Sequence, residues 1–209
     1  MTGSPERVSG VVPATAENIR RAAEFVRAGE LVIVPTETVY GVAARADSPE
    51  AMARLYAAKG RDEAKRVAFF AENIEAVRAA GIHVSEVAER LAAAFWPGPL
   101  TMVLQNAAGG WDGFRVPDHA VALAWVRELG LLPAVTSANC SGESAACTAQ
   151  EAWAALQPHV ALALDAGPAE GGLASTVVKI TGNVVEILRA GPIGREALER
   201  AAGCPVRGS

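Results

Sequence analysis

Four basic side chains, Lys59, Arg61, Arg115 and Arg189, stand near the ends of short predicted elements, and hydroxyl or amide residues keep them company. Thr36 and Thr38 follow the apolar run Leu31–Val34. Ser137 and Asn139 follow "PAVT", Ser175 and Thr176 open "STVV" just after "EGGLA", Arg115 sits inside "GFRVP", and Arg189 ends "EILR". Arginine offers a planar fork for phosphate or carboxylate, and lysine a point charge. With the hydroxyls, this composition suits a polyanion such as a nucleoside triphosphate. In open α/β sheets such ligands collect where strands end and loop amides point outward. Each residue also has an ordinary reading on its own. Lys59 and Arg61 would complement a helix C-terminus, "SAN" and "EGGLAST" would be turns, and Arg189 would make a surface ion pair.

Familiar catalytic signatures are missing. The chain has no GxxxxGK[ST], no GxGxxG after a strand, no GxSxG and no HExxH. Cys140, Cys147 and Cys204 are odd in number and form no CxxC pair, which argues against a disulfide framework and a structural zinc. No metal site and no catalytic side chain is assigned.

The elements that must position these residues alternate along the chain. Ile19, Ala22, Ala23 and Val26 share one face of a helix predicted over 16–28. "LVIVP" reads as a strand. Ser48 caps a helix with Pro49 at its first position, and Met52, Leu55 and Tyr56 form its expected inner face. A strand at 67–71 and a short helix from Ile74 to about Ala80 follow, and Ser85 caps another helix that "WPGP" breaks. "LTMVL", "GFRVP" and "PAVTS" read as strands, with a helix over 119–129 between the last two. Thr148 and Glu151 have the spacing of a capping box. Three strands end the pattern, the last two joined by Gly182-Asn183, a hairpin pair. The expected fold class is α/β: a single domain with a twisted mixed sheet and flanking helices. It spans 15–202, with 1–14 and 203–209 expected to fray. In "GFRVP", side chains alternate between faces, so Arg115 opposes Phe114 and Val116. It either faces solvent or projects into a cleft.

At 209 residues, half of them apolar and a fifth charged, the chain can bury a sizeable core. Net charge is −4, so RNA contact would need a local basic patch, and no long Lys/Arg run supplies one. No window reaches the ~18 apolar residues of a membrane span. The polar start, "MTGSPERVSG", lacks the apolar core of a signal peptide, so a soluble cytoplasmic protein without membrane contact is expected.

"PTETVYGVA", "LYAAKGR", "FWPGPLTMVL", "FRVPDH", "TSANCSGE", "STVV" and "ILRAGPI" occur in this order over roughly residues 16–195. The series resembles the YrdC-like threonylcarbamoyl-AMP synthase family in its short single-domain form. The resemblance implies a YrdC-like fold and synthesis of threonylcarbamoyl-AMP and pyrophosphate from L-threonine, bicarbonate and ATP. Partner proteins would then pass the threonylcarbamoyl group to tRNA. It implies threonine contacts from Thr36, Arg115 and Ser175, with Arg115 clamping the carboxylate. It implies ATP contacts from Lys59, Arg61, Ser137, Asn139 and Arg189, with Mg²⁺ carried on the triphosphate. The pattern departs from the family over 62–67, where two prolines are missing, and at Ser144 and Ala145. A YrdC-like paralogue acting in RNA binding or ribosome maturation, and a carbamoyl-transfer relative, carry similar motifs and stay open, as does weak RNA binding by the synthase itself.

Overall fold

The computed structural model describes residues 10–60, 62 and 66–208. Its elements run β1 (Val11–Pro13), α1 (Ala16–Arg27), β2 (Leu31–Val34), β3 (Gly41–Ala44), α2 (Pro49–Lys59), β4 (Ala68–Phe70), α3 (Ile74–Ala79), α4 (Glu86–Phe95), β5 (Leu100–Gln105) and β6 (Trp111–Arg115). They continue α5 (Ala120–Leu129), β7 (Ala134–Ser137), α6 (Ala149–Leu156), β8 (Val160–Asp165), β9 (Thr176–Thr181), β10 (Val184–Arg189), α7 (Arg195–Ala202) and β11 (Val206–Gly208). The caps legible in the sequence start their helices. Ser48 Oγ accepts from Ala51 N at 3.2 Å, and Thr148 and Glu151 cap α6 reciprocally.

One mixed sheet holds all the strands, in the order β1-β8-β2-β3-β7-β4-β6-β5-β9-β10-β11. β2 runs parallel to β8 and antiparallel to β3, while β9 and β10 form the expected hairpin, with Thr181 opposite Val184. Gly182 takes φ 58° there, a left-handed turn conformation open to glycine.

Helices cover the β8-β2-β3 part of the sheet on both faces. Ala22 and Val26 of α1 and Trp125 and Leu129 of α5 pack against Val32 and Val34. Leu55 of α2 and Ala152 and Leu156 of α6 pack against Leu31 and Ile33. This is why β2 reads as an unbroken apolar run rather than an alternation. In β5 and β6 the faces differ. Leu100, Met102, Leu104 and Phe114 enter the core beneath α4 and α7. Thr101, Val103, Gly113 and Arg115 line the opposite, concave face. The period-two geometry of a strand therefore places Arg115 on the cleft side and Phe114 in the core.

Four features depart from the sequence expectation. Residues 11–13 pair in parallel with β8, and 206–208 with β10, so the segments expected to fray hold edge strands. β3 was missed because "GVAA" is small, apolar and buried on both faces, leaving no alternation. α7 was missed; Leu198 and Ala202 bury it, and Arg90 of α4 donates to Ala202 O at 2.7 Å. In α2 the buried face is Ala51, Leu55, Ala58 and Lys59, with Met52 and Tyr56 only half-buried. Alanines let the helix ride close to the sheet, and the same stripe carries Lys59 inward.

Candidate functional site: a cleft over the concave face of the sheet

A cleft of about 360 Å³ lies over the strands β4, β5, β6, β7 and β9. That is within the usual range for small-ligand sites. Thr36, Thr101, Arg115, Ser137, Ser175 and Arg189 contribute polar groups to its lining.

The turn after β2 is held by its own threonines. Thr36 Oγ1 donates to Val39 O at 2.6 Å and lies 2.9 Å from Thr38 Oγ1. A hydroxyl has a single hydrogen, so Thr38 is the donor of that pair. Arg115 Nη2 in turn donates to Thr38 Oγ1 at 2.9 Å. The result is a directed chain, Arg115 to Thr38 to Thr36 to Val39, in which each bond polarises the next. Tyr40 anchors the turn's far end: its hydroxyl donates to Gly167 O at 2.6 Å, and burial pushes its pKa up. Gly41 has no room for a side chain, because a Cβ there would come 2.8 Å from Val135 Cγ1.

Arg115 is 5% exposed. Its Nε donates to Gly98 O at 3.2 Å, its Nη2 lies 2.7 Å from Glu37 Oε1, and the Phe70 ring centroid is 5.8 Å from its Cζ. Burial pulls its pKa below the ordinary value while Glu37 opposes that shift. The solvent-facing alternative for Arg115 is therefore excluded. Ser175, 4% exposed, has its Oγ 2.9 Å from Thr101 Oγ1. Arg189 donates to Ser175 O at 2.8 Å and to Ser175 Oγ at 3.1 Å, tying the end of β10 to the start of β9.

At the end of β7, next to Ser137, Lys59 is 3% exposed. Its Nζ donates to Ser137 O and, at 2.6 Å, to Asn139 O. Gly60, at φ 55°, ends α2 immediately after it, and Ser141 N donates to Lys59 O at 2.9 Å. Asn139 Nδ2 donates to Cys140 O and Glu143 O, both at 2.9 Å, which leaves Oδ1 buried and without a hydrogen-bond partner among the described residues. Arg61 lies outside the described residues.

The structure thus groups Thr36, Arg115, Ser175, Ser137 and Arg189 around one cleft, with Lys59 and Asn139 bonded to the same strand end as Ser137. Sequence reasoning missed Thr101, the polar residue of β5 that lines the cleft. It also missed the lip made by Trp111 and Arg66: Lys179 Nζ sits 4.1 Å from the Trp111 ring centroid, and Arg66 donates to Trp111 O. Glu37 was legible only as part of a polar turn. All three cysteines are free.

The fold and cleft define an α/β protein with a cleft lined by a buried arginine and several hydroxyls. Comparison with known proteins places it further. The Sua5/YciO/YrdC family model, described as telomere recombination, matches residues 24–191, and the chain belongs to this family. It is 36% identical over 197 residues to a Mycobacterium tuberculosis protein provisionally named threonylcarbamoyl-AMP synthase, covering 90% of each chain. It is 34% identical to the threonylcarbamoyl-AMP synthase of Bacillus subtilis, covering 88% of this chain and 56% of that one. The structure of Pyrococcus abyssi Sua5 complexed with L-threonine superposes with a TM-score of 0.86 at 31% identity, over 94% of this chain and 61% of that one. The chain thus spans nearly the whole of the mycobacterial relative but only about three fifths of the other two. No helix among the described residues is long and apolar enough to cross a membrane.

Proposed function

We propose that this chain is an L-threonylcarbamoyladenylate synthase acting in the cytoplasm. It joins L-threonine, bicarbonate and ATP into threonylcarbamoyl-AMP and pyrophosphate, and partner proteins then modify tRNA with the product. The observation that carries the reading is Arg115, a guanidinium almost wholly buried and yet lining the cleft. Such a group suits a carboxylate held away from water. The names of the relatives and the threonine complex of the Pyrococcus protein support the same choice of substrate.

In this reading the threonine amine adds to bicarbonate with loss of water, giving a carbamate. A carbamate oxygen attacks the α-phosphorus of ATP, and pyrophosphate leaves. Arg115 grips the amino-acid carboxylate, Thr36 contacts the substrate from the turn after β2, and Ser175 stands between the amino-acid and nucleotide ends. Lys59, Arg61 and Arg189 neutralise phosphate charge, while Ser137 and Asn139 contact the nucleotide and the carbamate. Positioning and charge neutralisation carry such a transfer, so no covalent nucleophile is needed. Burial protects the carbamate and the mixed anhydride from water. With Lys59, Arg61 and Arg189 holding the phosphates, Mg²⁺ carried on ATP would supply further charge neutralisation at the leaving group.

The test is pyrophosphate release by the pure protein, with each substrate omitted in turn. The reading requires release that depends on ATP, L-threonine and bicarbonate together. Release from ATP alone, or none with all three, would reject it.

A further inference from the structure

Arg115 is held by more than its hydrogen bonds. Glu37 Oε1 lies 2.7 Å from its Nη2, and the two side chains are 21% and 6% exposed. Both carboxylate oxygens of Glu37 are shielded from solvent, and neither makes an aligned hydrogen bond. The contact is therefore an ion pair rather than an oriented donor–acceptor bond. Glu37 does not line the cleft, whereas Arg115 does. The carboxylate thus approaches the guanidinium from the protein side. Glu37's own backbone is pinned from outside, where Gly171 N donates to Glu37 O at 3.0 Å. A Cβ at Gly171 would come 2.8 Å from that same oxygen, so the "EGG" loop lies directly on the turn.

Two readings of such a pair give opposite signs. A carboxylate inside the cleft would compete with the substrate carboxylate, and its removal would tighten binding. A carboxylate behind the guanidinium would set its plane and offset the cost of burying its charge, and its removal would weaken binding. The shielded oxygens decide for the second. With Glu37 and Thr38 at Nη2 and Gly98 O at Nε, Arg115 keeps Nη1 without a hydrogen bond among the described residues. That nitrogen is the donor left for a ligand.

We propose that Glu37 is a positioning residue for the amino-acid substrate: it fixes the Arg115 fork from behind without touching the ligand. This rests on the threonine reading above and deepens it. A buried cation without its counter-ion is costly, and a single-handed brace also restricts the side chain's rotamers. Holding the fork in place before binding removes an ordering cost that would otherwise weaken affinity.

Glu37→Gln keeps the shape and removes the charge. Pyrophosphate release is measured against threonine and against ATP, for wild type, Glu37→Gln, Arg115→Lys and the double variant. The expected result is a threonine KM raised by about tenfold or more, the scale of a lost charged contact. The ATP KM and kcat should stay within about twofold of wild type, since only ground-state positioning of the carboxylate is lost. In the Arg115→Lys background the Glu37 change should add little, because the two act through one contact. If Glu37→Gln does not fold, Glu37→Asp, which keeps the charge and shortens the reach, should show the same selective rise in threonine KM. An unchanged or lowered threonine KM, equal losses for threonine and ATP, or full additivity with Arg115→Lys would each overturn the proposal. Absence of threonine-dependent release by the wild type would instead reject the parent reading.

Discussion

Two buried cations, Arg115 lining the cleft and Lys59 bonded to the strand end that carries Ser137, are held by different means. Arg115 meets a carboxylate, a threonine hydroxyl and a main-chain carbonyl, drawn from the turn at 37–38 and from Gly98. Lys59 donates to two main-chain carbonyls of one short segment, Ser137 and Asn139. The first arrangement gathers distant pieces of chain around a planar fork and opposes its charge. The second ties the end of α2 to the end of β7 through main-chain carbonyls. An oriented fork suits a single planar carboxylate. A lysine fixed by carbonyls suits a ligand with charge spread over several oxygens, where direction matters less than field. The contrast predicts that damage at one cation should leave binding at the other intact.

Lys59→Ala should give the largest effect, because it strikes both stability and nucleotide binding. One buried and one partly buried carbonyl lose a charged donor, which costs about 1–3 kcal/mol of stability and should lower the melting temperature by several degrees. ATP affinity by calorimetry should fall about tenfold or more, the scale of a lost charged hydrogen bond. A loss of stability with unchanged ATP affinity would make Lys59 a structural tie alone.

Arg115→Lys keeps the charge and loses the fork. The apparent threonine constant should rise by about tenfold or more, while ATP binding measured without threonine stays close to wild type. Equal losses for the two substrates would erase the distinction between the two cations and move Arg115 among the phosphate ligands.

A smaller effect separates threonine from its isostere. With ATP present, L-threonine should raise the melting temperature more than L-valine, because a site built around a hydroxyl leaves polar groups unpaired when it is missing. Equal shifts would remove the hydroxyl from the recognition scheme.

The smallest effect concerns His119, which stands at the N-cap position of α5 without a side-chain capping bond. Burial depresses its pKa below the ordinary 6.5, with Glu37 and then Asp118 opposing the shift. The unfolded chain therefore binds this proton before the folded one does. The histidine's contribution to stability is fully present above about pH 6.5 and is lost as pH falls toward the lower folded value. Denaturant titrations between pH 7 and pH 5 should show a shallower fall for His119→Gln than for wild type. Identical slopes would mean that His119 does not titrate in this window.

Much of this arrangement could be read in the sequence, and the gaps have physical causes. The caps at Ser48 and Thr148 and the turn at Gly182 rest on local chemistry and needed no tertiary information. Arg115 was legible as a cation inside a short apolar strand, but the face it takes depends on α4 and α7 covering the other one. Lys59 looked like an ordinary helix-end cation. Its burial follows from Ala51 and Ala58 beside Leu55, whereas the sequence pattern put Met52 and Tyr56 on that face with Leu55. Glu37 gave no separate signal, since only the fold brings it across to Arg115, 78 residues later in the chain. β3 was hidden because a strand buried on both faces loses the alternation that marks strands.

The central claim is that both cations act on one reaction, with the amine carboxylated before adenylation. Supplying bicarbonate labelled with heavy carbon, together with ATP and L-threonine, and weighing the adenylate by mass spectrometry tests it most directly. The account predicts a threonylcarbamoyl adenylate that carries the label, formed with pyrophosphate, and strongly reduced at limiting threonine in Arg115→Lys. An unlabelled threonyl adenylate, or a labelled product formed equally well without threonine, would contradict it.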